Sequence, residues 1–246
     1  MIHYLIIKIK CLVHTLDNFQ LYNFTNYRRA SKDYGRVSMD VTRHDSVESG
    51  VISQNHMLNK KFFQKIRGEL VGYAAKRREV IKAAGDAQHH AKRAIFALQR
   101  DAKKDADESL SEAEKLLQGL NKQFKNEPDL FTEGSYRAAL EEYVEAVLFQ
   151  TVLQSKELGL VSGLTVDSDL YISGLCDVPG ELVRYAIKAA TERDFKTVAK
   201  MYAAAEAIIG ELISMDLTGY HRQKFDQAKQ ALGKLQQIVY EVSLKE

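Results

Sequence analysis

LEEYVEAVLFQTVLQ, residues 140–154, holds neither Pro nor Gly and is apolar on every side from Tyr143 to Leu153. A helix of that character is buried, in a core or against a partner. Two carboxylates, Glu142 and Glu145, stand at the mouth of this apolar run. Three residues apart on a helix, they share one face with Cβ atoms roughly 5–6 Å apart. Like charges at that spacing repel, and burying them without a counter-charge is costly. Either a positive group sits between them or one of them keeps its proton.

A second pair lies downstream in LCDVPGELV, residues 175–183, where Asp177 and Glu181 are four apart among apolar neighbours. Four carboxylates from two segments, without His or Cys at ligand spacing, form an oxygen-only set that suits Mg²⁺ or Mn²⁺. Di-iron bundles use Glu-x-x-His pairs, and neither segment has the His. A purely structural reading stays open beside the metal one. Asp177 can N-cap a helix starting near Val178, with Glu181 in its first turn. Glu142 can face solvent and pair with a Lys.

Outward from this stretch the pattern is helical. Asn59 to about Arg100 reads as one long helix. Its seam of Ile66, Leu70, Tyr73, Val80, Ala84, Ala87, Ala91, Ala94 and Leu98 steps by three and four, broken only at Arg77. Gly68, Gly72 and Gly85 weaken it, so packing is needed to hold it. Lys76-Arg77-Arg78, Lys92-Arg93 and Lys103-Lys104 lie opposite the seam, and a solvated face explains them as it stands. Ser109 to Glu112 is a capping box expected to open the next helix, and Asn126 to Pro128 is a break. The central helix is expected from Gly134 to Leu158, with Gly159 as its stop. Asp167 is expected to cap a short helix through Ile172, and Glu181 to Thr191 to form another. Asp194 then caps a helix to about Met215. Gly219 to Ser243 carries the regular stripe Phe225, Ala228, Leu232, Leu235, Val239 and Val242. The class is all-α, a bundle of about seven helices. Residues 58–246 form the helical domain. Residues 1–57, with a short strand candidate in IIKIKCLV, read either as a poorly structured extension or as translation from an upstream start, since Met57 opens the helical pattern.

Charge is unevenly spread. Residues 60–104 hold thirteen Lys and Arg against four Asp and Glu, whereas residues 105–246 hold fifteen against twenty-four. A basic arm on an acidic body suits a polyanion partner, or contact between unlike faces of neighbouring subunits. Cys11 and Cys176 have no metal or redox spacing, which points to a reduced, cytoplasmic setting. No apolar run reaches the length of a membrane span.

Four stretches in order resemble the translin family. They are EEYVEAV (141–147) followed by Phe149-Gln150, YISGLCDVPGELVR (171–184), AKRAIF (91–96) with Arg100, and AKQALGK (228–234) through Tyr240. The matches run from about Phe62 to Tyr240. Pro179 departs from the family pattern, which has Thr there. The resemblance implies a seven-helix fold, a homo-oligomer (an octamer) and binding of single-stranded RNA or DNA. In members that keep the acidic residues it implies a metal-dependent endoribonuclease, whose catalytic and metal-holding positions fall on Glu142, Glu145, Asp177 and Glu181, with Mg²⁺ as the cofactor and Mn²⁺ an alternative. Lys92, Arg93, Arg100 and Arg184 are the candidates to hold the nucleic-acid backbone. Arg184 has an equally good role as an i,i+3 partner of Glu181. Two rivals are an oligomer that holds single strands without cutting them, and a purely structural helical assembly.

Overall fold

The computed structural model describes residues 58–244. Among them the chain forms six α-helices, one 3-10 helix and no strand. The helices are α1 (Lys60–Gln99), α2 (Lys103–Gln123), the 3-10 helix (Pro128–Thr132), α3 (Gly134–Leu153), α4 (Ser168–Thr191), α5 (Phe195–Ile213) and α6 (Gly219–Ser243). The all-α expectation holds. The extension expected over residues 1–57 lies outside the described residues. None of the helices among the described residues is long and apolar enough to cross a membrane.

Local chemistry sets several ends as the sequence suggests. The side chains of Asn59, Asp167 and Asp194 accept from the backbone N–H of Phe62, Leu170 and Thr197, at 3.1, 2.8 and 3.1 Å, each satisfying an orphan donor of the first turn. Other ends differ from expectation. The central helix stops at Leu153, not at Leu158. Ser155 turns left-handed at φ 56°, and the N–H groups of Ser155 and Lys156 return to the carbonyls of Val152 and Thr151, which is a Schellman closure. Asp101 and Arg193 end α1 and α4 in the same way, both at φ 58°. With Ser, Asp and Arg in the place usually taken by Gly, none of these stops carries a glycine signal. The capping box at Ser109 is not a helix start either. Helix α2 begins at Lys103, and Ser109 is buried within it.

The two helices expected on either side of Asp177 are one helix, α4, running through Pro179. Proline lacks the N–H that would reach the Leu175 carbonyl, a cost of about 3 kcal/mol in a helix interior. Burial of Leu175, Cys176, Val178, Leu182 and Val183 around it opposes that cost. Asp177 is therefore mid-helix, and the capping explanation for it falls.

Helix α1 is buried only from Val80 onward. Ile66 and Tyr73 are half-buried, and Leu70 is exposed. The break in its seam has a use: Arg77 Nε donates to Glu133 Oε1 at 2.5 Å, tying α1 to the start of α3. Helix α1 packs on α2 and α3; α4 packs on α3, α5 and α6; and α5 packs on α6. The α3–α4 crossing thus joins the two halves of the bundle. Gly174 of α4 makes it close. A Cβ there would stand 2.8 Å from Val144 Cγ1 and 2.9 Å from the Glu141 carbonyl oxygen, both of α3.

Gly174→Ala should therefore lower unfolding stability by about 1–3 kcal/mol through overpacking. Gly180→Ala in the same helix, where an added Cβ meets nothing within 4 Å, should not. Urea unfolding of the two variants checks this.

Candidate functional site

The α3–α4 crossing gathers five acids that are buried or half-buried. Glu141, Glu142 and Glu145 come from α3, and Asp177 and Glu181, four apart on one face, come from α4. Each except Glu145 has a partner. Lys224 of α6, only 9 % exposed, bonds Asp177 and stands 2.6 Å from Glu141 Oε1. The Tyr220 hydroxyl donates to the same Glu141 oxygen at 3.1 Å. Lys92 of α1 lies 3.6 Å from Glu142 Oε2. Gln99 Nε2, also of α1, donates to Glu181 Oε2 and to the Glu181 carbonyl, both at 2.9 Å. Arg184 Nη1 reaches Glu181 Oε1 at 3.0 Å.

Glu145 is 8 % exposed, and no hydrogen bond or ion pair reaches it among the described residues. Burial pushes its pKa up to about 9, and the nearby charges of Asp177, Glu142 and Glu181 add to that, with Lys224 opposing. At neutral pH it is a carboxylic acid that keeps its proton. Burial also raises Glu142, against Lys92 and Gln88, and raises Asp177 despite Lys224. For Lys224, burial works against the charge, but Asp177 and Glu141 outweigh it and push the pKa up. Both outcomes foreseen for buried acids, a counter-charge and a retained proton, occur side by side.

As the side chains stand, no group of three His, Cys, Asp or Glu residues among the described residues is gathered to hold a metal ion. The acids are instead shared out among Lys224, Lys92, Gln99 and Arg184. The donor chemistry still fits a hard divalent cation. Glu145 lies within the field of three other carboxylates, and its neighbour Glu142 is held by Gln88 and, at 3.6 Å, by the exposed Lys92. Asp177 and Glu181 are the more committed pair.

Of the proposed backbone contacts, Lys92 and Arg93 are exposed on α1 and Arg100 is exposed as its C-cap. The Arg100 guanidinium lies 4.2 Å from the centroid of the Phe96 ring. Arg184 is exposed and pairs with Glu181. Sequence reasoning missed Lys224, Glu141, Tyr220 and Gln99. A signal for Lys224 existed: with Ala228, Ala231 and Leu235 it steps by four, three and four, so a lysine stands on the buried seam of α6.

The family model of the Translin family matches residues 75–246. The fold is similar to the crystal structure of apo-NeC3PO, with a TM-score of 0.68 and 21 % identity, covering 76 % of this chain and 98 % of that one. It is similar to the crystal structure of AfC3PO, with a TM-score of 0.69 and 23 % identity, covering 75 % and 98 %. The AfC3PO–duplex RNA complex gives a TM-score of 0.69 and 22 % identity, covering 75 % and 97 %. No curated protein matches the chain.

Two outcomes follow from the charge arrangement. Because the folded state holds the Glu145 proton up to about pH 9 and an unfolded Glu releases it near pH 4.3, metal-free stability should fall as pH rises between these values. One group contributes at most about 1.4 kcal/mol per pH unit. Glu145→Gln should flatten that slope in urea unfolding measured from pH 5 to pH 8.5. Lys224→Met should cost about 3 kcal/mol, since it strands Asp177 and Glu141.

Proposed function

The chain belongs to the Translin family, and on that premise we propose that it binds single-stranded RNA or DNA and acts as a Mg²⁺-dependent endoribonuclease, Mn²⁺ serving in the same place. The observation that carries this reading is Glu145: a buried acid that no protein hydrogen bond or ion pair reaches among the described residues, within the field of Asp177, Glu142 and Glu181, with Lys92 of α1 on its neighbour Glu142. A carboxyl whose ionisation is this strongly disfavoured by burial and neighbouring charge is the kind of group that clusters at functional sites.

Glu142 and Glu145 would hold the ion, with Asp177 and Glu181 behind them. When bound, Mg²⁺ supplies Lewis acidity, lowering the pKa of a water for attack on the phosphodiester and stabilising the leaving oxygen. Glu145 would hold the ion as its carboxylate, giving its proton to solvent, so binding would strengthen as pH rises. Lys224 keeps Asp177 and Glu141 in place from α6. Lys92, Arg93 and Arg100 hold backbone phosphates, positioning the strand without reading its sequence, and Lys92 can exchange its ion pair with Glu142 for a phosphate. The RNA in the AfC3PO complex supports a nucleic-acid partner. Family membership supports a homo-oligomer, with the octamer as the proposed form, in a cytoplasmic setting.

A second reading, an oligomer that binds nucleic acid without cutting it, draws on Lys224. Its ammonium already neutralises Asp177 and Glu141, as a cation would.

Cleavage of a labelled single-stranded RNA separates the two. The nuclease reading expects product with Mg²⁺ and none with EDTA. It expects a loss of at least about 100-fold in Glu142→Ala and Glu145→Ala, the scale of one transition-state-stabilising group, with binding retained. Equal cleavage by wild type and both variants refutes the assignment. Binding without any cleavage leaves the second reading.

A further inference from the structure

Phe96 of α1 is 61 % exposed, although Ile95 and Ala97 on either side of it are buried. A single exposed apolar residue is ordinary, but the surroundings of this one are not. Lys92, one turn before it, reaches Glu142, and Gln99, one turn after it, reaches Glu181. Phe96 therefore stands on the turn of α1 between the two side chains that touch the acidic cluster. The Arg100 guanidinium lies 4.2 Å from its ring centroid, and Arg100 Nε donates to the Phe96 carbonyl at 3.4 Å. That bond ties the cation to the ring's own turn. Lys92, Phe96 and Arg100 share one helical face at i, i+4 and i+8, with Arg93 exposed beside them.

We propose that Phe96, backed by Arg100, is a stacking platform for an unpaired base of the substrate strand, placed beside the acidic cluster. The occupant follows from the chemistry. A flat apolar ring flanked by three cations suits a flat, uncharged π system attached to a phosphate chain. Aromatic stacking of this kind tolerates any base, and it is the usual partner of a basic groove in single-strand binding. A paired base within a duplex offers no free face. Phe96 thus favours single strands and sets which nucleotide lies at the carboxylates. The proposal rests on the nucleic-acid reading above and assigns to Phe96 a positioning role that charge alone does not provide.

The chain has no tryptophan, so Phe96→Trp introduces a sole indole reporter. Titration with an oligouridylate should quench its emission, whereas an abasic strand of equal length, which has the phosphates but no bases, should bind with little quenching. By fluorescence anisotropy, Phe96→Ala and Phe96→Leu should bind the oligouridylate about ten-fold or more weaker, with the dependence of log Kd on log salt unchanged because the ionic contacts remain. Phe96→Trp should keep wild-type affinity. Equal quenching by both strands, or unaltered affinity in Phe96→Ala and Phe96→Leu while wild type binds, overturns the stacking role and leaves the nucleic-acid reading intact. An indole already shielded from acrylamide before any strand is added, as burial by a second copy of the chain would produce, also overturns it. If wild type shows no salt-sensitive binding to either strand, the functional reading itself fails.

Discussion

The close passage of α4 over α3 at Gly174 is the constraint on which the rest depends. With no side chain at that point, the α3 backbone at Glu141 and the Val144 side chain lie where a Cβ would otherwise be. The helices meet tightly enough that carboxylates from both fall within one another's fields, and those of Asp177 and Glu181 reach Glu145. An acidic cluster so enclosed has few low-energy states. Its charges must be matched, or some must be protonated.

The bundle satisfies that requirement from outside the crossing. Helix α6 delivers Lys224 to Asp177 and Glu141, and α1 delivers Lys92 to Glu142 and Gln99 to Glu181. Only Glu145 is left without a partner, and it stays neutral. This division of labour gives the site a graded readiness. Asp177, Glu141 and Glu181 are anchored, while Glu142 and Glu145 have the weakest hold on their present states. The same edge of α1 that steadies the acids carries the exposed cations and Phe96, so the partners of the acids and the exposed basic groups lie along one helix.

Much of this was legible in the chain. The period of α6 and the caps at Asn59, Asp167 and Asp194 are local properties, visible in composition and spacing. The Glu142/Glu145 and Asp177/Glu181 pairs stood out because charge inside an apolar helix is conspicuous. The sequence places the end of the central helix too late because Ser155 closes α3 in left-handed geometry without glycine. Asp101 and Arg193 close α1 and α4 in the same geometry, at ends that fall where the sequence puts them. At Asp101, contacts from distant Tyr185 and Lys188 on its carboxylate help hold the turn. Similarly, Pro179 reads as a boundary until the apolar burial around it is known.

What the sequence by itself determined is therefore the helical class, the course of the first and last long helices, α1 and α6, and four of the five acids at issue, Glu142, Glu145, Asp177 and Glu181, because periodicity and the cost of buried charge are local and follow from the residues alone. What only the tertiary structure decided is how those acids are neutralised. Which of them meets Lys224, Lys92, Gln99 or nothing depends on contacts between residues roughly fifty to eighty apart along the chain, and an electrostatic environment is a sum over neighbours in space that no spacing along the chain encodes.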